Sequence, residues 1–422
     1  MKSSGNVRAI QGPWRIEGCP DGGFAGAVVI PALAESATLP ATLSSLVRNP
    51  PELLAQFLVL VVINHREDAP EADKADNLAT LALLAESAPS MPHLNLVWVD
   101  AASPGLELPA KGGGVGLARR IGLDLALTRL QTHGHDPVLV CLDADTLVRP
   151  DYLPALIRHF HGSACGGAVI PFLHQQGLSP QADRAIMRYE LFLRCYVLGL
   201  SLAASPYAFH SVGSAMACRA SAYVKIGGMN SRCAGEDFYF LQQLARTVGI
   251  EQVAGTVVYP SQRSSHRVPF GTGRSISRLL DGDPEAVLFY RSACFRVLGE
   301  WLSLVSDSSG QESGRLLARA GEISPHLAEY LETVRCGEIW KKLRRHNPGR
   351  SAFLSAFSGW FDGLKTMKLI HHLSAGPFPR CQPDVAVAEL VQLCGEEPVT
   401  SLEDQLELLR RLQLGADYPQ PR

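Results

Sequence analysis

The chain has 422 residues, 46% of them hydrophobic and 19% charged, with a formal net charge of −2. This balance supports a sizeable core and excludes a disordered chain, and it lacks the basic excess that marks a nucleic-acid binder. The length allows two or three domains of roughly 100–200 residues.

The 10 cysteines include no Cys-x-x-Cys pair, which argues against zinc knuckles and thioredoxin-type redox motifs. Cys141 sits in the apolar run Val138–Leu142, where a free thiol packs as a small hydrophobe, and a reducing, cytoplasmic setting is expected. Residues 1–21 show no apolar core of signal-peptide type. The most lipid-like stretch, Leu191 to Phe209, is interrupted by Arg194 and Pro206 and falls short of the about 20 apolar residues a span requires. It reads as a buried helix.

In chain order, Ala27–Pro31 is an apolar strand, followed by a helical pattern over 38–47. Phe57–Ile63 and Leu94–Val99 are two more strands, the latter ending at Asp100. Gly116–Leu130 reads as a helix, and Pro137–Leu142 as a strand ending at Asp143. Continuous apolar strands alternating with helices predict a parallel sheet buried on both faces, with ligands at the carboxyl ends of its strands. Glu35, Asn64, Asp100, Asp143 and Asp145 are therefore expected at one crevice. Further on, 166–171, 210–219 and 253–259 read as strands, and 180–205, 221–226 and 236–248 as helices. Beyond about Arg274 the β pattern fades into helical segments broken by Pro325, Pro348 and Pro377. The expected domains are 1–280 (catalytic) and 281–422 (α-helical).

Leu142-Asp143-Ala144-Asp145 carries two carboxylates one residue apart at a strand end. Both can face one hard cation, which can neutralise a departing diphosphate; an Asp-x-Asp is also a common solvated turn. Glu236 and Asp237 open a helix, where acids suit the dipole and can simply cap it.

Five segments in order over about residues 24–275 resemble the family 2 glycosyltransferases. They are Val28–Glu35, Lys111–Arg119, Leu142–Asp145, Gly213–Arg219 with Ile226–Met229, and Gly235–Asp237. The layout is also similar to that of mannosylglycerate synthases. The resemblance implies an α/β GT-A fold, a mixed, mostly parallel sheet flanked by helices, with the α-helical C-terminal region added. It implies transfer of a single sugar from a UDP- or GDP-linked donor to an unidentified acceptor, with Mn2+ or Mg2+ as cofactor.

By the same resemblance, Pro31, Ala32, Glu35, Asn64, Arg119, Asp143, Arg267 and Arg274 bind the donor. Ala32 and Glu35 line the nucleoside pocket, and Arg267 and Arg274 clamp phosphate on a closing loop. Asp145 and His266 hold the metal, and Asp237 and Glu236 are the catalytic carboxylates, Asp237 as the base that takes the acceptor hydroxyl proton. His266 also reads as an ordinary surface or core histidine, and Arg119 as a solvated helix residue. Inversion and retention both remain open.

The stretch after Val61-Val62-Ile63 reads Asn64-His65-Arg66-Glu67-Asp68 rather than the family's acidic run, which leaves uracil and guanine undistinguished. The Gln-x-x-Arg-Trp motif of processive synthases is missing. A sugar-1-phosphate nucleotidyltransferase would need a glycine-rich basic loop after the first strand, where this chain has Pro31-Ala32-Leu33-Ala34-Glu35; a non-catalytic nucleotide-sugar binder is the other alternative. Lys111-Gly112-Gly113-Gly114 lacks the Gly-Lys-Ser/Thr ending of a Walker loop. Finally, Ser351–Leu373 reads as one amphipathic helix with an aromatic stripe. It is expected to pack on the catalytic domain or a second subunit, and peripheral membrane contact is its other reading.

Overall fold

Eight consecutive residues from Phe57 to Asn64 are buried on both sides, as expected of a β-branched run at the centre of a sheet covered by helices. The structure is a computed structural model that describes residues 11–18, 22–87, 91, 93–131, 134–176, 179–261, 277–280, 283, 285–415 and 418. It falls into two compact units, one formed by 1–176, 211–274 and 417–422, the other by 177–210 and 275–416.

The first unit holds an eight-stranded mixed sheet. Its strands are β1 (Ile16–Glu17), β2 (Gly26–Ala32), β3 (Phe57–Asn64), β4 (Asn95–Ala101), β5 (Val138–Cys141), β7 (Gly167–Val169), β8 (Met216–Arg219) and β9 (Ile250–Gln252). Their order is β1-β4-β3-β2-β5-β8-β7-β9. Strands β4, β3, β2 and β5 run parallel, whereas β8 is antiparallel to both β5 and β7. A separate two-stranded ribbon pairs β6 (Leu147–Val148) with β10 (Val258–Tyr259). The segment 253–259, expected as a single strand, thus contributes only its last two residues to β10, while β9 precedes it.

Helices α1 (Leu39–Val47) and α2 (Pro51–Leu54) follow β2, α3 (Glu71–Ser87) fills the interval after β3, where the sequence pattern marks no element, and α5 (Tyr152–Gly162) and α7 (Ala220–Lys225) follow β6 and β8. Helix α4 (Val115–Leu127) lies on β2 and β3. Gly122 permits that approach, because a Cβ there would stand 2.9 Å from a Val62 methyl.

The second unit is helical. It comprises α6 (Pro180–Leu202) and the helices Ser292–Asp307, Ser313–Ile323, Pro325–Thr333, Cys336–His346, Arg350–Trp360, Gly363–Ala375, Pro383–Leu393 and Leu402–Leu414. Helix α6 packs against the last two of these and against Ser292–Asp307. The stretch 177–210 therefore belongs with the helical region, although the sequence-level division at 280 placed it in the first domain.

The expected buried helix is α6, and the charge that interrupts it is paired. Arg194 donates to Glu190, and Arg410 donates to the same carboxylate at 2.8 Å. Neither Arg194 nor Glu190 is more than 1% exposed. Among the described residues no helix is long and apolar enough to cross a membrane.

Ser351–Leu373 is two helices, not one. The first ends at Trp360, and Asp362 caps the second by accepting from the Lys365 N–H at 2.9 Å, so the chain turns between them. Its aromatic stripe is core of the helical unit itself. Phe353 meets Trp340 edge-on with ring centroids 4.6 Å apart, and Phe357 lies 5.9 Å from Trp301.

Candidate active site

Strand β2 has β3 on one side and β5 on the other, so the chain order reverses between β2 and β5. At such a switch point the connections leave in opposite directions and open a crevice at the carboxyl ends of the strands. Register places the two exits together. Val29 pairs with Cys141, and the Leu142 N–H donates to the Val29 carbonyl at 3.1 Å. Asp143 and Asp145 therefore emerge beside the residues that follow β2.

Helix α4 carries Arg119 into this place. Gly116 lets its first turn approach the segment before α8 (Glu236–Val248), since a Cβ at 116 would lie 3.0 Å from both the Arg232 nitrogen and the Glu236 Cβ. The Arg119 guanidinium donates through one nitrogen to Asp143 Oδ1 and through the other to Glu236 Oε1. These side chains are 3%, 35% and 5% exposed respectively. Burial opposes the guanidinium charge, but Asp143 and Glu236 outweigh it and hold the proton more firmly than usual. Gly213 leaves the space: a Cβ there would fall 2.8 Å from the guanidinium carbon.

Glu236 and Asp237 form the first turn of α8, entered through Gly235 in the left-handed region at φ 68°. Burial raises Glu236 to about 7, opposed by Arg119 and reinforced by Asp237. Asp237 is also raised by burial, against the pull of Arg119, and Asp143 adds to the rise. Its Oδ1 accepts from the Phe238 N–H at 2.7 Å, so it has a helix-end contact as well as a place beside the cluster. Asn230 secures this turn by donating to the Glu236 carbonyl at 2.9 Å. The result is one buried cation gathering acids from a strand end and a helix start.

The remaining expected residues divide. Asp145 is half-buried next to this cluster in sequence, and its carbonyl accepts from Gln175 Nε2 at 2.9 Å. Gln175 also donates to Tyr259 O at 2.7 Å, tying the Asp-x-Asp turn to the end of β10. Pro31 and Ala32 are enclosed within β2. The Glu35 carboxylate accepts from the Thr38 hydroxyl, and its carbonyl accepts from the Leu39 N–H at 2.9 Å, which starts α1. The Asn64 amide donates to Ala32 O at 3.1 Å and Val62 O at 3.0 Å. Asp100 accepts from the Ala102 and Ser103 N–H groups of its own turn. These three groups thus brace the loops around the crevice. His266, Arg267 and Arg274 lie outside the described residues.

Sequence reading overlooked Asn77, Gln175 and the spatial role of Gly213. Asn77 is fully buried on α3 and reaches three partners: the Ala34 N–H at 2.9 Å, the Asn64 carbonyl at 3.0 Å and His65 Nδ1 at 2.9 Å. Ala34 has φ 53°, unusual for a residue with a side chain, and Asn77 holds it there directly after β2. Its only sequence signal is an asparagine inside a helix it does not favour.

No protein-family model matches the sequence, and no curated protein matches it. Among solved structures the chain is similar to S. aureus TarS 1-349 in complex with UDP-GlcNAc, at 14% identity and a TM-score of 0.41, over 79% of this chain and 91% of that one. It is also similar to the mannosyltransferase PcManGT from Pyrobaculum calidifontis in complex with GDP-Man and Mn2+, at 15% identity and a TM-score of 0.37, over 84% and 92%. A third likeness is to GalNAc-T7 with UDP, GalNAc and Mn2+, at 14% identity and a TM-score of 0.36, over 61% and 47%.

Proposed function

We propose that this chain is a glycosyltransferase that moves a single sugar from a UDP- or GDP-linked donor to an acceptor hydroxyl. The observation that carries this reading is the Arg119 cluster at the β2/β5 switch point, where Asp143 and the first turn of α8 converge. A nucleotide diphosphate bound there meets the residues after β2 on one side and the Asp-x-Asp turn on the other.

Asp143 and Asp145 supply hard oxygen donors, which suit Mn2+ or Mg2+ held by one or two carboxylates plus substrate phosphates. Asp145 and His266 are the proposed protein ligands of that cation, with the diphosphate completing its shell. When bound, that cation offsets the charge of the departing diphosphate.

Asp237 is the proposed base. The acceptor oxygen attacks the anomeric carbon, the bond to the diphosphate breaks, and the hydroxyl proton passes to Asp237, which gives inversion. Burial raises the basicity of this carboxylate, as a base requires. Glu236 is spent on Arg119 and acts as a positioning residue.

Nucleotidyl transfer is disfavoured by the segment after β2, which carries a buried glutamate and no basic phosphate loop. The test is nucleoside diphosphate release from a panel of UDP- and GDP-sugars with Mn2+. Release that needs the metal and an acceptor supports the proposal. Pyrophosphate exchange from nucleoside triphosphate and a sugar 1-phosphate would replace it with the nucleotidyltransferase reading, and donor binding without turnover would make the chain a binder.

A further inference from the structure

We propose that His326, Glu329 and His372 form a transition-metal site, best suited to zinc, which clips helix Pro325–Thr333 to helix Gly363–Ala375 inside the helical unit. His326 and Glu329 are three residues apart, so they share one face of the first helix. His372 stands in the last turn of the second.

The distances fit. His326 Nδ1 and His372 Nε2 each lie 3.5 Å from Glu329 Oε2, and one donor atom from each of the three residues lies within 4.8 Å of the other two. Donors about 2.1 Å from a tetrahedral zinc stand about 3.4 Å apart, so both histidine–glutamate separations match with little movement. Among the described residues this is the group of three such side chains that gathers in this way.

A second observation points to a ligand. The His372 Nε2 atom is shut off from solvent and makes no hydrogen bond, its 3.5 Å approach to Glu329 Oε2 being an ion-pair contact only, an exception among buried polar atoms. Its neighbourhood is built: the Tyr330 ring lies 5.8 Å from the His372 ring, and the Tyr330 hydroxyl donates to Lys365 O at 2.8 Å. That bond joins the same two helices beside the site and limits how far the donors can drift apart. The chain also turns past His326 at Gly376, where a Cβ would be 3.4 Å from Nδ1.

Two imidazoles and one carboxylate suit zinc and its borderline neighbours better than Mg2+ or Ca2+, which prefer all-oxygen shells. Three protein ligands leave a fourth position, and Glu329 is 63% exposed, so water completes the shell. The site differs in donor chemistry from the Asp143/Asp145 pair.

The experiment uses the full chain, freed of metal. Zinc is titrated against a micromolar chromophoric chelator, and Co2+ spectra and unfolding midpoints are recorded. The variants are His326→Gln, His372→Gln and the double substitution. Wild type should take up one equivalent of zinc, show the intense visible bands of four-coordinate Co2+, and unfold at a higher temperature with zinc present. Loss of both histidines should weaken zinc at least about 100-fold, beyond the usual cost of removing an outer-shell partner. An Asp145→Asn chain should still bind this zinc, which separates the site from the donor's cation. Equal uptake by wild type and the double variant, or no uptake by either, overturns the proposal. So do midpoints that fall in the histidine variants yet ignore zinc, which would leave Glu329 as a plain ion-pair partner of two histidines. If the double variant fails to fold, His326→Gln alone, at a half-exposed position, decides the same question.

Discussion

Glu236, at the first turn of α8, accepts from the Arg119 guanidinium with both side chains almost dry, 5% and 3% exposed. Attraction at this depth is strong, but so is the cost of stripping water from both ions. The pair is therefore better understood as a joint that sets where α8 begins than as a source of net stability.

Removing one side of that joint leaves a buried charge uncompensated. Arg119→Met should lower stability by about 3–5 kcal/mol and abolish donor binding, because Glu236 must then take up a proton or stay buried without its cation, and Asp143 loses the donor that holds it. Chemical denaturation and donor titration check both parts. Gly213→Ala should produce the binding loss with a smaller stability loss, since its new methyl displaces the guanidinium without deleting it.

The Glu236 carboxyl titrates at about 7 in the folded chain against 4.5 ordinarily, with burial the leading cause. A raised folded pKa means that the folded state binds the proton more tightly. Its contribution is therefore complete below about pH 4.5 and is lost as pH rises through about 7. Relative to Glu236→Gln, wild type should lose stability across that window. Denaturation midpoints of the two proteins that run parallel with pH would remove this account.

Asp237→Asn should keep donor affinity and lose ~10²–10⁴-fold in transfer, because the base acts on the acceptor and not on the diphosphate. A loss below tenfold at saturating acceptor would assign Asp237 to its contact with the Phe238 N–H instead.

Asp145→Asn should fold normally and lose Mn2+-dependent donor binding, since an amide oxygen is a weaker partner than a carboxylate for a hard cation. Calorimetric titration of the donor with and without Mn2+ measures this. Unchanged stimulation by Mn2+ would move the metal elsewhere.

Trp340→Ala should destabilise the helical unit by about 3–5 kcal/mol, through the cavity left against Phe353 and Phe357. Truncation after Arg350 should be more damaging, giving insoluble chain, because it strips these rings from Trp301 and Trp340 together. A soluble truncated chain with an unchanged melting profile that merely ceases to sediment with anionic vesicles would favour a lipid-facing role for the stripe.

Local pattern alone determined the strands β2 to β5 and the positions of Asp143 and of the Glu236-Asp237 pair. Continuous apolar runs can only be satisfied between covering layers, and acids at strand ends and helix starts cannot enter those layers. Tertiary structure decided which polar groups meet. Arg119 finds Asp143 24 residues away and Glu236 117 residues away, distances over which periodicity carries no information. It also spent Asn64 and Glu35 on neighbouring backbone and hydroxyl groups, because a buried amide or carboxylate takes whatever partner the fold brings within reach. Helix α6 is the same case at larger scale. Its apolar face announced burial, but only the Glu190–Arg410 contact and the helices around it reveal that it is buried among C-terminal helices, since amphipathicity specifies a face and leaves its partner open.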